Sequence, residues 1–336
     1  MDIQLFANEL QRYYVQNRKA IKLDFARATK VSVDAYCRKV TKIKGTYQIL
    51  TSVMTHVVQG FKAEWQALGQ LSVRDKELKN YHQKINIPIV PAEVLSTALA
   101  DWYEEDVTIT NKMICKVVID WVMTQVVDDV ELLSFIGEYD QAQASGAFGY
   151  SLNGWNKIIE AAVANVNRPV YKIPCDAITS ENIYDVLLNF EMKFPKILKG
   201  KIKEIHLSTK NLELYEVAYQ NKFNASPSYD EKKRTKSPLR NRGLVGWDNL
   251  DDDKIFATID GNMLNLIDVI DNPGRFTDVQ VQDYTVKLFG EFWKGYDFLI
   301  NECVLVADFS GTVTGLGDND LMKLYYPHET LEEVIP

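Results

Sequence analysis

The segment from residue 57 to residue 90 constrains the fold of this 336-residue chain more than any other part of it. Its pattern favours extended structure, and Ile85, Ile87 and Ile89 occupy alternate positions near its end. Pro88 cannot donate a hydrogen bond to a neighbouring strand, so the run predicts an edge strand or a projecting hairpin. A two-stranded hairpin with so little apolar surface is unstable alone in water. The segment therefore needs another surface to lie on.

Charge is divided unequally along the chain. The net charge of −8 combines two opposite contributions. Residues 1–90 hold 15 Lys and Arg and 7 Asp and Glu, a net of +8, whereas residues 91–336 hold 23 and 39, a net of −16. Such asymmetry predicts that the N-terminal quarter faces an anionic partner, either nucleic acid or the acidic remainder of another copy. A set of solvated helix faces is the alternative explanation.

Composition is that of an ordinary globular protein, with 46% hydrophobic and 25% charged residues. Apolar runs are broken by charge before 18 residues, and the N-terminus lacks a basic-then-apolar signal, so we expect neither a membrane span nor secretion. The cysteines show no CxxC pair and no zinc spacing, which predicts free thiols in a reducing compartment. These cysteines are Cys37, Cys115, Cys175 and Cys303.

Helical periodicity predicts several helices. Apolar residues spaced along 3–23 predict an amphipathic helix, and the stretch from Arg27 to Lys44 is basic and has little core-forming pattern, which favours an extended arm. Pro91 is well placed as the first residue of a short helix. A long helix follows over 108–135, roughly 40 Å in length, and Gly137 ends it.

The second half of the chain alternates between strand and helix patterns. Residues 181–194 predict a helix, residues 202–208 a short buried strand, and Ser208 or Thr209 caps a further helix. This alternation predicts a compact α/β or α+β domain. Strong strand patterns return at 279–293 and 303–309.

Two segments could in principle carry chemistry. Gly311, Gly315 and Gly317 follow a strand, but no Lys-Ser/Thr pair follows and the spacing is not GxGxxG, so a flexible turn is the better interpretation. The run Asp251–Asp253 could bind a divalent cation, but adjacent carboxylates rarely all point at one ion. This run is better interpreted as a solvated charged loop.

No other residues form a catalytic or metal-binding pattern. The four His are scattered singly, and no Cys has a neighbouring His that would activate it. The basic cluster at 232–242 lies near Tyr229 and Trp247 and could contact phosphate. A charged loop that pairs with an acidic surface is the preferred interpretation. We therefore predict no catalytic, cofactor-binding or metal-binding residue, no cofactor, and a protein that is not an enzyme.

Together, the elements resemble, over nearly the whole chain, the major capsid protein of tailed double-stranded-DNA bacteriophages, with the Hong Kong 97-type capsid fold. In that family an N-terminal arm leads to an extended two-stranded loop, the E-loop. Here VVQGFKAEWQALGQLSVRDKELKNYHQKINIPI matches the E-loop. PAEVLSTALADWYEE and TNKMICKVVIDWVMTQVVDDVELLSF then match the family's short helix and long spine helix, and Ile136-Gly137-Glu138 matches the glycine turn.

The family's axial domain is matched in the same loose way. ENIYDVLLNFEMKF, EIHLS and TKNLELYEVAYQNKF correspond to its helix, strand and second helix. LRNRGLVGWDNL resembles its variable loop, and VQDYTVKLFGEFWKGYDFLINECVLVADF resembles its long returning strand. The motifs are individually unspecific, and their joint order carries the resemblance.

The resemblance implies an α+β fold with five parts. These parts are an N-terminal arm at 1–45, the E-loop with flanking strands at 46–90, a peripheral domain at 91–177 with its spine helix at 108–135, an axial domain with returning peripheral strands at 178–315, and a C-terminal tail at 316–336.

The implied function is structural. Copies of the chain would form hexamers and pentamers of an icosahedral shell around double-stranded DNA, with portal, scaffolding and decoration proteins as further partners and no membrane. The E-loop would lie across one neighbour and the arm would reach another. The expected location is the virion capsid, assembled in the host bacterial cytoplasm. The alternatives are an encapsulin-like compartment, a nucleotide- or metal-dependent soluble enzyme, and a basic-arm nucleic-acid-binding protein.

Basic side chains in 12–44 and 74–84 are hypothesised to meet acidic neighbours, in a salt-dependent way. The residues hypothesised to make inter-subunit contacts are Trp65, Arg74, Lys76, Lys79, Lys84, Arg12, Arg18, Arg240 and Arg242.

Overall fold

The computed structural model describes most of the chain, namely residues 4, 6–13, 15–17, 32–90, 93, 111–232, 234–268, 274–283, 285–329 and 332–333. The strands are β1 (Arg38–Val40), β2 (Thr46–Met54), β3 (Leu71–Lys79), β4 (Tyr81–Ile89), β5 (Tyr171–Pro174), β6 (Ile202–Ser208), β7 (Gly243–Trp247), β8 (Phe256–Ile259), β9 (Met263–Leu266), β10 (Gly274–Gln282), β11 (Thr285–Phe298), β12 (Val304–Asp308), β13 (Val313–Thr314) and β14 (Glu332–Glu333). After residue 110 the helices are α1 (Asn111–Ile136), α2 (Trp155–Ala164), α3 (Ile183–Met192), α4 (Lys196–Lys199), α5 (Thr209–Phe223) and α6 (Asn319–Tyr325).

The first sheet is built around the long strand β11. This strand pairs antiparallel with β10, with β4 and, near its C-terminal end, with β9, and β9 pairs in parallel with β1. Among the described strands, β4 pairs only with β11. It is therefore an edge strand, which is where the sequence placed Pro88.

The second sheet has the strand order β5-β12-β8-β6-β7 in the described part of the chain. Successive side chains of a strand point to opposite faces. Val304 and Val306 of β12 accordingly belong to the first hydrophobic core, whereas Leu305 and Ala307 belong to the second. Burial on both faces explains why this strand is an uninterrupted apolar run. The second sheet therefore separates the two cores.

The second core is completed by helices that the sequence predicted. β6 spans residues 202–208 as expected, and α5 follows it directly. The Ser208 hydroxyl accepts a hydrogen bond from the Asn211 backbone N–H, which caps the helix. Asn224 ends the helix in the left-handed region, with φ of 51°. Packing of α3 and α5 against this sheet gives the predicted compact α+β domain.

The long helix α1 has 26 residues and is about 39 Å long. It was predicted at 108–135 and is observed at 111–136, and the residues before Asn111 lie outside the described part. So does the predicted short helix after Pro91, apart from Glu93, which is helical. A buried stripe of α1 faces the first core. Its members are Cys115, Val118, Ile119, Val122, Met123, Val126 and Val130.

The amphipathic helix predicted along 3–23 is observed in the described parts of that segment. Residues 6–13 and 15–17 are helical, and Phe6, Ala7 and Leu10 are buried in the first core with α1. Further along, β1 is a strand of the first sheet. These residues find apolar and hydrogen-bonding partners within their own chain, and the reach of the arm to a neighbouring subunit stays a prediction.

The projecting hairpin occupies residues 46–79 rather than the predicted 57–90. β2 pairs antiparallel with β3 along its whole length, with Thr46 opposite Lys79 at the base. Residues 55–70 form an irregular tip. These residues, 46–79, are called the hairpin below.

The hairpin boundary has a physical reason. Ile85, Ile87 and Ile89 of β4 pack against the first core, so this strand joins the first sheet instead of extending the hairpin. Asn80 marks the division, since its side-chain N–H donates to the carbonyl oxygen of Ile43 at 2.8 Å and holds the chain against the body. Burial of the alternating isoleucines thus places β4 in the body.

Candidate functional site

The two faces of the hairpin have different environments. Residues directly opposite each other in an antiparallel pair share a face. The inner face carries Thr51 opposite Arg74 and Ile49 opposite Lys76, all at least half-buried against the body. The outer face is exposed. The hairpin thus lies on its own subunit along one face, and the expected contact with a neighbouring subunit stays a prediction for its other face.

A buried ion pair of the body meets the middle of the inner face. Arg168 donates from Nε and Nη2 to the two carboxylate oxygens of Glu302, both at 3.2 Å. The Glu302 side chain is fully buried and that of Arg168 is 8% exposed. Such a two-bond pair is geometrically specific. It forms a fixed charged platform beneath the hairpin.

The hairpin binds this platform through three contacts. Arg168 Nη2 donates to the Thr51 hydroxyl at 3.1 Å, and its Nη1 donates to the backbone oxygen of Asp75 at 3.2 Å. Arg74 donates to Glu302 Oε1 at 3.3 Å and to the backbone oxygen of Asn167 at 3.0 Å. Both strands of the hairpin are therefore tied to the same pair.

A second charged contact lies nearer the base. Lys76 Nζ donates to Asp297 Oδ1 at 2.6 Å, to the Phe298 backbone oxygen at 2.5 Å and to Asn301 Oδ1 at 2.7 Å. Burial lowers the pKa of Lys76, and the Asp297 charge opposes that effect. Burial likewise raises the pKa of Asp297, against the effect of Lys76. Three acceptors match the three N–H donors of an ammonium group, so the contact is a satisfied interior pair.

The tip and the outer face expose large apolar side chains. Phe61 is 98% exposed and Trp65 is 91% exposed at the tip. The outer face adds an apolar strip on both strands. Its members are Leu50, Met54, Leu71 and Val73. Exposed apolar groups concentrated on one element mark an interaction surface.

The hypothesised contact residues separate into two groups. Arg74 and Lys76 bind Glu302 and Asp297 as described, and Arg242 is buried, with its guanidinium 2.5 Å from Glu191 Oε1. These three charges are paired inside the subunit, and their contacts with a neighbour stay a prediction. The exposed group contains Trp65, Lys79, Lys84, Arg12 and Arg240, and Arg18 lies outside the described residues.

Part of the charge asymmetry is also satisfied within one chain. Basic side chains of the N-terminal quarter pair with acidic side chains of the remainder, and Lys294 makes the reverse pair with buried Asp34 at 2.6 Å. The pairs of the first kind are Lys44–Asp268, Arg74–Glu302 and Lys76–Asp297. Some of the opposite charges of the two parts are thus paired within one subunit.

The two segments considered for ligand chemistry form local contacts. Asp308 Oδ1 accepts from the backbone N–H groups of Ser310 and Gly311, which builds a turn. In the acidic run, Asp251 pairs with Lys254 while Asp252 accepts from Ser208. Across the described residues, no three His, Cys, Asp or Glu side chains are grouped as a metal site requires.

Arg168, Glu302 and Asp297 were not identified from the sequence. None of them lies in a motif, and each comes from a different part of the chain from the hairpin. Glu302 is a fully buried acid in a short 3₁₀ turn directly before β12. The sequence signal that could have identified it is an acidic residue in the mostly apolar run INECVLV. A charge buried in such a run needs a partner of opposite charge.

Within the described residues, we find no helix with the length and apolarity that a membrane crossing requires.

A scan of the sequence against protein-family models found no match, and a search of curated proteins found none either. Solved structures, in contrast, align with most of the chain. A chain of the satellite phage P4 procapsid that includes the size determination (Sid) protein has a TM-score of 0.52 and 9% identity, covering 85% of this chain and 97% of that chain. A chain of the cyanophage A-1(L) capsid has a TM-score of 0.51 and 10% identity, covering 82% and 91%.

A third similar structure is the capsid of a native GTA particle, with a TM-score of 0.50 and 12% identity, covering 84% of this chain and 97% of that chain. All three are capsid structures. At identities this low, their structural similarity to this chain shows a common fold and nothing beyond the fold. The described elements define an α+β fold with a long helix and a projecting hairpin. The chain has the Hong Kong 97-type capsid fold, as the order of its elements predicted.

Proposed function

We propose that the chain is the major capsid protein of a tailed double-stranded-DNA bacteriophage. Copies of it form hexamers and pentamers, which close into an icosahedral shell around the genome. The observation that carries this proposal is the hairpin, which is fixed to the body on one face and presents apolar side chains on the other face and at the tip. The role is structural and needs no catalytic residue or cofactor.

The hairpin gives a physical reason for self-association. Removing a large apolar side chain from water contributes about 1.5–3 kcal/mol. Phe61 and Trp65 gain this only when another surface covers them. Since every subunit carries the same tip, contacts with other copies repeat around a closed ring.

Several finer features belong to the same proposal. The partners besides other copies are portal, scaffolding and decoration proteins, and the packaged DNA is bound without sequence specificity. The protein is located in the virion capsid and assembles in the cytoplasm of the bacterial host. The domain boundaries implied by the family resemblance stay predictions, as do the inter-subunit contacts of the exposed residues Trp65, Lys79, Lys84, Arg12 and Arg240.

Assembly is tested by expressing the chain alone and with the phage proteins encoded beside it. Negative-stain microscopy and sedimentation should show capsomers or closed shells. A double variant, Phe61→Ser with Trp65→Ser, should shift the protein to small species. Val166→Ser is the matched control, because Val166 is 87% exposed but lies outside the hairpin. A wild-type chain that stays monomeric under all these conditions would contradict the proposal.

The contents of the particles distinguish the proposal from an encapsulin-like compartment. Nuclease-protected DNA supports a virion shell, whereas a copurifying enzyme supports a cargo compartment. A soluble enzyme would instead be indicated by a monomer whose thermal unfolding shifts with a nucleotide or divalent cation. A basic-arm DNA-binding protein would be indicated by tight DNA binding of the isolated chain.

A further inference from the structure

We propose that Arg168 and Glu302 form a latch that fixes the angle at which the hairpin leaves the body of the subunit. The latch holds the hairpin about midway along its strands, at Thr51 and Arg74. This inference concerns a single subunit and does not rest on the proposed shell function.

The hairpin joins the body at a narrow base. Thr46 and Lys79 lie opposite each other, so both strands enter at adjacent points. Gly45 precedes them with φ of 73°, a conformation that favours glycine, and a Cβ there would meet no described heavy atom within 4 Å. The Asn80 N–H donates to the Gly45 carbonyl oxygen at 2.7 Å. Such a base allows the hairpin to pivot.

The latch lies far from that pivot. Thr51 and Arg74 are five residues from the base, which is roughly 17 Å along the strands. A contact at this distance restricts the angle more than a contact at the base does. Leu78, near the base, packs instead in a small apolar cluster with Ile43 and Leu264. Apolar packing and the Lys76 contacts therefore hold the part near the base, and the latch holds the middle.

A cleft leaves room for movement beneath the hairpin. A space of about 670 Å³ lies between β3 and α2, and Val73, Lys157 and Asn165 are among its lining residues. Side chains do not fill this space, so the charged contacts that cross it carry the restraint. Releasing them would let the hairpin swing once the partly buried Val53 also separates from the second core.

Breaking the ion pair between Arg168 and Glu302 is energetically costly. Glu302 is fully buried, and a buried carboxylate that loses its partner is strongly unfavourable. Arg168 uses the same guanidinium for Glu302, Thr51 and the Asp75 carbonyl oxygen. Removing the Glu302 charge loosens Arg168 and Arg74 together. The hairpin is then held by Lys76 and Leu78 near its base and by the partly buried Val53.

Two adjacent cysteine reporters can measure the angle. Val53 lies on the inner face and packs against the second core, while Ser52 lies exposed on the outer face. Val53→Cys and Ser52→Cys are each introduced into the full chain, with and without Glu302→Gln. The rate at which iodoacetamide alkylates each cysteine is measured by mass spectrometry of the peptide that contains it. All variants are compared in the same oligomeric state. Peptide resolution separates the reporters from the native cysteines.

With the latch intact, the thiol at position 53 should react much more slowly than the thiol at position 52. Glu302→Gln should accelerate alkylation at position 53 on the order of 10- to 100-fold, since reactivity follows the population of the open state. Alkylation at position 52 should stay unchanged. Lys79→Gln is the control for a charge lost from the hairpin outside the latch.

A second pair of variants keeps the test decisive if Glu302→Gln does not fold. Arg74→Gln changes a side chain that is 27% exposed, and Thr51→Val removes one hydrogen bond from Arg168. Each should accelerate alkylation at position 53 while circular dichroism stays at the wild-type signal. Wild-type alkylation rates at position 53 in every folded latch variant would overturn the inference.

Discussion

Trp247 donates its indole N–H to Nδ1 of His206 at 3.2 Å in the interior of the subunit. The His206 ring also stacks on Phe256, with ring centroids 4.7 Å apart. An acceptor Nδ1 has no proton, so this ring is neutral and carries its hydrogen on Nε2. Burial first, and the charge of Arg234 second, lower the pKa of His206 from 6.5 to about 3.

The first prediction concerns stability at acid pH. Between pH 6.5 and about 3 the unfolded chain binds a proton at His206 that the folded chain does not. Stability therefore falls as pH falls through this window, by up to about 1.4 kcal/mol per pH unit from this group. His206→Gln should flatten the dependence between pH 6.5 and 4.5, measured by urea unfolding of the subunit. Above pH 6.5 the free energy of unfolding should depend on pH equally in the wild-type chain and in His206→Gln.

The control for this prediction is Val166→Ser, which changes an exposed side chain that carries no titratable group. It should retain the wild-type pH profile. An unchanged acid slope in His206→Gln, together with an intact fold, would show that other groups account for the acid sensitivity.

The second prediction concerns the buried pair between Arg242 and Glu191. Their side chains are 3% and 0% exposed, and Glu191 also accepts from the Ser237 hydroxyl and the Leu239 N–H. Arg242→Ala leaves the Glu191 charge buried without its partner, which should cost about 3–5 kcal/mol in the free energy of unfolding. Denaturant titration measures this cost.

The exposed pair Lys203–Asp260 supplies the comparison, with side chains 69% and 76% exposed. Lys203→Ala should change the unfolding free energy by less than about 1 kcal/mol. Equal effects of the two substitutions would mean that Arg242 is not a structural residue of the interior.

How far the sequence predicts this molecule depends on whether a signal is local. The strand at 202–208, the cap at Ser208 and the end of the long helix before Gly137 follow from periodicity and capping, and all three are observed. The limits of the hairpin were wrong, because they depend on which surface the isoleucines of β4 cover. Tertiary packing decides which surface they cover, and the local sequence pattern does not predict it.

The charged platform beneath the hairpin illustrates the same limit. Arg168 and Glu302 are 134 residues apart in sequence. Neither lies in a motif, and they meet only once β5, which follows Arg168, has paired with β12, which follows Glu302. The exposed residue Trp65 was identified correctly as lying on a projecting element, since its position in a polar hairpin is a local property.

The third prediction concerns the turn after α1. A Cβ at Gly137 would lie 2.6 Å from the Leu152 backbone oxygen and 2.7 Å from the Leu133 backbone oxygen. Both obstacles are main chain, so the backbone must move. Gly137→Ala should destabilise the subunit by about 1–3 kcal/mol in thermal or denaturant unfolding. At Gly200 an added Cβ meets no described atom within 4 Å, so Gly200→Ala should be close to neutral.

The fourth prediction concerns the native thiols. Burial is the largest cause that raises the pKa of Cys115, Cys175 and Cys303 to about 12 each. Because the thiolate is the reactive form, alkylation at pH 8 should be slow for all three in the folded subunit. Unfolding in urea should accelerate it more than about 100-fold, read by peptide mass spectrometry. Rapid labelling of the native protein would contradict their burial.

The last prediction concerns the exposed basic residues and rests on the proposed assembly. Lys84 is exposed on β4, away from the interior pairs of Lys76 and Arg74. If such charges guide acidic neighbours, assembly followed by light scattering should slow as salt rises from about 0.05 to 0.5 M. Lys84→Glu should slow assembly at low salt and weaken this salt dependence, whereas Lys84→Arg should preserve both. Assembly rates that do not respond to ionic strength would show that apolar contacts alone direct the association, with the opposite charges acting only inside each subunit.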